Sequence, residues 1–339
     1  MNTQVKKACW GSVCLAAKII KKGGIVAFPT ETVYGLGANG FNEAACSKIY
    51  EIKGRPADNP LILHVCNEEQ LSKISKDYSS TAKKLMDKFW PGPLTVILQN
   101  NFAPRGTNLQ TVAVRMPKNP YALLLISLAN VPIAAPSANL SGRPSPTTAA
   151  HVVSDLDGKI ELVLDAGQCE YGLESTVIDC TSALPTILRP GSITKEMLEA
   201  EIGEIACVSA FSGTDEILMP RSPGMKYKHY APKARLVIVS GKTKSTQIKI
   251  TELAASSKHA QIGILAHTHN AKYYQNLNAH VLPMGQNTAQ IAANLFSVLR
   301  KCDDLKLEEV FVEAVDEVGL GYAIMERLKK AASYNIVEV

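Results

Sequence analysis

The residues best suited to chemistry lie in two turn-rich stretches. The first is Lys53-Gly54-Arg55-Pro56-Ala57-Asp58-Asn59-Pro60-Leu61-Ile62-Leu63-His64. The second is Pro136-Ser137-Ala138-Asn139-Leu140-Ser141-Gly142-Arg143-Pro144-Ser145-Pro146. Each gathers cations, amides and hydroxyls into a Gly/Pro-punctuated turn, the kind of segment that presents ligand-binding side chains on a rigid scaffold. Lys and Arg neutralise phosphate, and Ser and Asn supply directed hydrogen bonds. The chemistry suggested is the handling of a polyanion, most simply a nucleotide. Gly54 lets the backbone approach a ligand, and alternate residues of an extended turn share one side. A solvated basic turn is the plainer alternative for Lys53 and Arg55, and a turn residue for Ser145.

Single residues add to this. Arg115 ends the run Thr111-Val112-Ala113-Val114, an awkward place for a charge unless it faces a site or closes a strand-end salt bridge. His64 follows Leu61-Ile62-Leu63, where a satisfied core histidine and a site residue are both reasonable. Other constellations are missing. There is no Gly-x-x-x-x-Gly-Lys-Ser/Thr loop, no Gly-x-Gly-x-x-Gly fingerprint and no Gly-x-Ser-x-Gly elbow. His267-Thr268-His269 lacks a nearby third ligand and reads as a loop rather than a metal site.

With Pro29-Thr30-Glu31-Thr32-Val33-Tyr34-Gly35-Leu36-Gly37, the two turns resemble the YrdC-like family. The resemblance runs from about residue 12 to 200. It resumes at Ser222-Pro223-Gly224-Met225-Lys226-Tyr227-Lys228-His229-Tyr230-Ala231-Pro232, which is similar to the linker of the long, two-domain members. It implies synthesis of threonylcarbamoyl-AMP from L-threonine, bicarbonate and ATP, with release of pyrophosphate, for threonylcarbamoyladenosine in tRNA. By the same resemblance Lys53, Arg55, Ser137 and Asn139 form a catalytic tetrad. Arg55, Asn59, Thr111, Ser137, Ser145, Arg189 and Tyr230 match ATP contacts. Thr32, His64, Arg115, Ala135 and Ser175 match threonine contacts. Mg²⁺ is expected with the ATP, held through phosphates and water. A downstream tRNA threonylcarbamoyl-transferase complex is the expected partner, with direct tRNA contact left open. A double-stranded RNA-binding module and a carbamoyltransferase using a preformed donor are the alternatives from other classes.

The rest of the chain must position these residues. Its 339 residues suggest about two domains of roughly 150 residues each. A hydrophobic share of 46% is enough for real cores, and 20% charged residues argue against disorder. The net charge of +5 permits nucleic-acid contact without arguing for it. Eight scattered cysteines form no Cys-x-x-Cys pair and read as reduced packing residues. No apolar run is long enough to span a membrane, so a cytoplasmic protein is expected.

Residues 1–202 alternate strand-like and helix-like patterns. Strands follow one another without helices near residues 175–190, so a large, twisted, mixed α/β sheet is expected. Asn42 and Asn287 are placed to cap helices. Residues 203–234 read as a linker whose Met, Tyr and His content favours folding back over the active site. Residues 235–339 show strands separated by helices, the pattern of a small Rossmann-like parallel α/β domain.

Overall fold

The computed structural model describes residues 2–56, 59–101, 110–208 and 230–339. It divides into two units: Met1–Ser141 with Ser145–Lys226, and Gly142–Pro144 with Tyr227–Val339.

In chain order the first unit begins β1 (Gln4–Lys7), α1 (Trp10–Lys21), β2 (Val26–Phe28), β3 (Gly35–Asn39), α2 (Glu43–Lys53) and β4 (Ile62–His64). It continues α3 (Glu68–Ser72), α4 (Ser80–Phe89), β5 (Leu94–Gln99), β6 (Thr111–Arg115), α5 (Pro120–Ala129) and β7 (Ile133–Ala134). It ends α6 (Ala149–Leu156), β8 (Leu162–Asp165), β9 (Thr176–Asp179), β10 (Thr186–Arg189), α7 (Lys195–Ile202) and β11 (Ala206–Cys207). The sheet order is β1-β8-β2-β3-β7-β4-β6-β5-β9-β10-β11. β2–β3, β5–β6 and β9–β10 pair antiparallel, whereas β4–β6 and β5–β9 pair parallel. The expected mixed sheet follows from these short returns set among longer crossovers.

Strand alternation decides which side chains meet which helices. Val26, Phe28, Leu162 and Leu164 turn to one face, where they pack with Val13, Ala16 and Ile20 of α1 and Leu125 and Ile126 of α5. Ala27 and Val163 turn to the other, with Ile49 of α2 and Val152 and Leu156 of α6. A further core joins Leu85 of α4 and Leu198 of α7 to Val96, Leu98 and Val114. Helix caps follow local chemistry. The Asn42 side chain accepts from the Ala45 amide at 3.1 Å, and α2 ends on Gly54 in the left-handed region, φ 59°. That glycine turns the chain sharply just after Lys53.

The second unit holds β12 (Arg235–Ser240), α8 (Thr243–Ser256), β13 (Ile262–His267), β14 (His280–Gly285), α9 (Thr288–Asp304), β15 (Glu309–Glu313), α10 (Leu320–Ala331) and β16 (Ile336–Glu338). Its sheet, ordered β14-β13-β15-β12-β16, is parallel throughout. This is the small parallel α/β domain expected from strands separated by helices. Asn287 caps α9 by accepting from the Gln290 amide at 3.0 Å.

The expected linker at 203–234 differs at its start. Ala206–Cys207 form β11, parallel to β10, so the chain is still adding a strand there. Residues 209–229, on which the expectation of a folded-back linker rests, lie outside the described residues. No helix among the described residues is long and apolar enough to cross a membrane.

Leu85 is fully buried in the α4 core. Leu85→Ala should lower stability by about 2–5 kcal/mol, read from urea unfolding. A loss below about 1 kcal/mol would mean that this face of α4 is not close-packed.

Candidate active site

Arg115 lies at the end of β6, and the β4–β6 register sets it beside His64. Its guanidinium is 4% exposed and is answered on several sides. Nε donates to the Gly92 carbonyl at 3.2 Å, and Nη1 donates to Thr32 Oγ1 at 2.9 Å. Nη2 donates to Glu31 Oε1 at 2.6 Å. Among the described residues one N–H on each terminal nitrogen has no partner, the number that the two oxygens of a carboxylate need. Thr32, itself fully buried, is held by Thr30, whose hydroxyl lies 2.8 Å from its own. Burial alone would raise the Glu31 carboxyl. The charge and hydrogen bond of Arg115 outweigh it and hold the group below the usual carboxylate range.

His64 meets the Phe28 ring edge-on at 6.1 Å, and its buried Nδ1 has no hydrogen-bond partner among the described residues. Burial, and then the charge of Arg115, push its pKa down to about 3. The imidazole is therefore neutral at ordinary pH. It can give or take a hydrogen bond but is a poor proton acceptor. The β4 and β7 strands also bring in Ala135, whose amide donates to the Ile62 carbonyl at 2.9 Å.

The second cluster forms around Lys53, the last residue of α2. The side chain is 3% exposed. Its ammonium donates to the carbonyls of Ser137 and Asn139, each at 2.5 Å. Lys53 thus pins the Ser137–Asn139 turn, a use in addition to the phosphate contact expected from its charge. Ser137 Oγ donates to Asn139 Oδ1 at 2.5 Å, and a bridge to Gly35 fixes the turn beside β3. Arg55 folds back across its own loop, Nε to the Asn59 carbonyl at 3.2 Å and Nη2 to that of Pro60 at 3.1 Å. Asn59 is buried, with its Oδ1 unpartnered among the described residues.

A third cluster joins β9 to β10. Ser175 Oγ lies 2.7 Å from Thr95 Oγ1 and accepts from Arg189 Nη2 at 3.1 Å, while Arg189 Nε reaches the Ser175 carbonyl. Beside it, Ser145 Oγ donates to Glu174 Oε1 at 2.5 Å, both side chains buried. A Cβ at Gly191 would come within 2.4 Å of the Thr176 amide, so only glycine lets the chain after Arg189 pass this close to β9. Thr111 opens β6, paired with Gln99 of β5. Tyr230 belongs to the second unit, where its ring stacks on Phe296 at 5.3 Å and lies under the Arg327 guanidinium at 5.9 Å.

The structure therefore brings Thr32, His64 and Arg115 together, as it does Lys53, Ser137 and Asn139, and Ser175 with Arg189. Sequence reasoning passed over Glu31, Glu174 and Thr95 as functional residues. Glu31 and Glu174 stand next to residues it chose, but nothing local marks their distant partners.

Comparison with known proteins agrees with the motifs. Residues 18–191 match the family model "Telomere recombination", and residues 193–333 match "Threonylcarbamoyl-AMP synthase, C-terminal domain". The chain is 46% identical over 330 residues to the threonylcarbamoyl-AMP synthase of Pyrococcus abyssi, covering 96% of this chain and 95% of that one. It is 45% identical over 329 residues to that of Bacillus subtilis, covering 96% and 94%. A crystal structure of P. abyssi Sua5 complexed with L-threonine matches with a TM-score of 0.92 at 44% identity, covering 100% of this chain and 99% of that one. The chain belongs to the threonylcarbamoyl-AMP synthase family and is an enzyme of that class.

The lowered pKa of His64 has a signed consequence. Because the folded value lies below the ordinary 6.5, the unfolded chain takes the proton first as pH falls. Stability is thus lost between pH 6.5 and about 3, whereas Glu31 contributes its loss only lower, in the carboxylate range. His64→Gln should lose less stability than wild type between about pH 7.5 and about pH 5, measured by urea unfolding. Equal losses would contradict the neutral, buried imidazole.

Proposed function

We propose that the first unit makes threonylcarbamoyl-AMP from L-threonine, bicarbonate and ATP, releasing pyrophosphate, for the modification of tRNA. The observation that carries this reading is the buried Arg115 guanidinium, on each terminal nitrogen of which one N–H has no partner among the described residues. It stands in a chain 44% identical to one complexed with L-threonine.

The roles are those implied by the motifs, and the contacts around Arg115 and Lys53 support them. Arg115 takes the threonine carboxylate, and the Thr32 and Ser175 hydroxyls, the Ala135 backbone and the neutral His64 surround the rest of the amino acid. Arg55, Asn59, Thr111, Ser137, Ser145 and Arg189 take the ATP. Threonine nitrogen bonds to the carbon of bicarbonate, water leaves, and a carbamate results. A carbamate oxygen then bonds to the α-phosphorus as the bond to pyrophosphate breaks. No covalent enzyme intermediate is needed, so catalysis is positioning and charge stabilisation. Lys53 holds the Ser137–Asn139 turn in shape, and Arg55 offsets charge on the phosphates.

Mg²⁺ would arrive with the triphosphate and neutralise part of its charge. The donors here suit its hydration shell: the Asn59 Oδ1, unpartnered among the described residues, and the Ser137 hydroxyl are hard oxygen groups. Among the described residues no three His, Cys, Asp or Glu side chains gather into a cage, so phosphates and water would supply most ligands. All eight cysteines are free thiols, which suits a reducing, cytoplasmic setting. The product would pass to an enzyme or complex that transfers the threonylcarbamoyl group to tRNA.

The test is pyrophosphate release from ATP with labelled bicarbonate, with and without L-threonine. Release and label incorporation should both require threonine, and release without threonine or bicarbonate would remove the proposal. In the same assay Arg55→Ala should raise the KM for ATP about tenfold or more and Arg115→Ala that for threonine, each sparing the other substrate. Unchanged threonine use by a folded Arg115→Ala protein would remove Arg115 from its role.

A further inference from the structure

Glu31 takes no part in the steps above, yet both of its carboxylate oxygens are held. It is 4% exposed. One carboxylate oxygen accepts from Arg115 at 2.6 Å, and the other accepts from the Asn119 amide at 3.3 Å. Its own carbonyl accepts from the Tyr171 amide at 2.8 Å. Asn119 in turn caps α5, its side chain accepting from the Tyr121 and Ala122 amides. One residue therefore ties together the loop after β2, the end of β6, the start of α5 and the segment that leads to Ser175.

Stability alone is a poor explanation for such a pair. Two charges withdrawn from water recover little more than their desolvation cost, and apolar residues of similar volume commonly serve as well. The pair does set two properties of the pocket. It occupies one side of the guanidinium, leaving one N–H on each terminal nitrogen for a ligand. It also balances the charge of the guanidinium, and His64 beside it is neutral. A neutral pocket accepts a zwitterion without an unmatched charge, whereas an extra carboxylate would bring one.

We infer that Glu31 is a positioning residue for threonine recognition, acting through Arg115. The inference rests on the proposed role of Arg115 as the grip on the threonine carboxylate. Glu31 also borders a cavity of about 190 Å³ lined in part by Lys118, Asn119 and Gln168.

The test uses the full-length protein and pyrophosphate release at varied threonine and ATP. Glu31→Gln should raise the KM for threonine about tenfold or more and leave that for ATP within about twofold. Glu31→Asp, which keeps the charge but is one methylene shorter, should fall nearer wild type than Glu31→Gln. A packing role predicts the reverse order, because Gln is nearly isosteric with Glu. Arg115→Gln combined with Glu31→Gln removes both charges and should use threonine no worse than Arg115→Gln alone. The reversed order, or losses that multiply in the double variant, would overturn the inference. If Glu31→Gln does not unfold cooperatively on heating, the comparison of the double variant with Arg115→Gln decides. Threonine-dependent release by wild type with no effect at Glu31 sinks the inference alone, and no threonine dependence in wild type sinks the functional proposal with it.

Discussion

An arginine cannot shed its charge inside a protein, so burying Arg115 obliges the surrounding chain to answer it. The answer comes from the Gly92 carbonyl, the Thr32 hydroxyl and the Glu31 carboxylate, contributed by two separate segments. Removing one partner of such a pair costs about 3–5 kcal/mol, because the remaining charge is stranded. The loop after β2 and the loop after α4 are therefore committed to their places by one guanidinium before any ligand arrives. A site built this way is preorganised, which is what a reaction that depends on orientation requires.

Lys53 extends the same logic to the Ser137–Asn139 turn. Its ammonium is buried at the end of α2 and is satisfied by carbonyls 84 and 86 residues further along. The turn that presents Ser137 and Asn139 is consequently shaped by a cation from elsewhere in the chain. Gly54 makes this possible, since its left-handed φ of 59° ends the helix at the lysine and sends Arg55 onward. Two buried cations, each held by distant partners, thus organise the two groups of residues that the proposed reaction would use.

Legibility in the sequence followed the range of the interactions. The β-branched run that Arg115 closes is a strand, Thr111–Arg115, and Asn42 and Asn287 cap the helices they precede. These features are written in adjacent residues. Arg115 was legible too, because a charge closing an apolar strand is conspicuous. β3 was not: Gly35-Leu36-Gly37-Ala38-Asn39 has little strand propensity and becomes one only between β2 and β7. Glu31 gave no signal, for its partner lies 84 residues away. The same distance hid the second use of Lys53. Local chemistry could name the candidates, and only the folded sheet could say which of them meet.

The most direct measurement is a crystal structure of the full-length protein with L-threonine and a non-hydrolysable ATP analogue. The account predicts the amino acid with its carboxylate on the Arg115 guanidinium and its body beside His64 and Ser175. It predicts the phosphates against Arg55 and the Ser137–Asn139 turn. Ligands absent from the first unit at saturating concentration, or threonine bound away from Arg115, would contradict it.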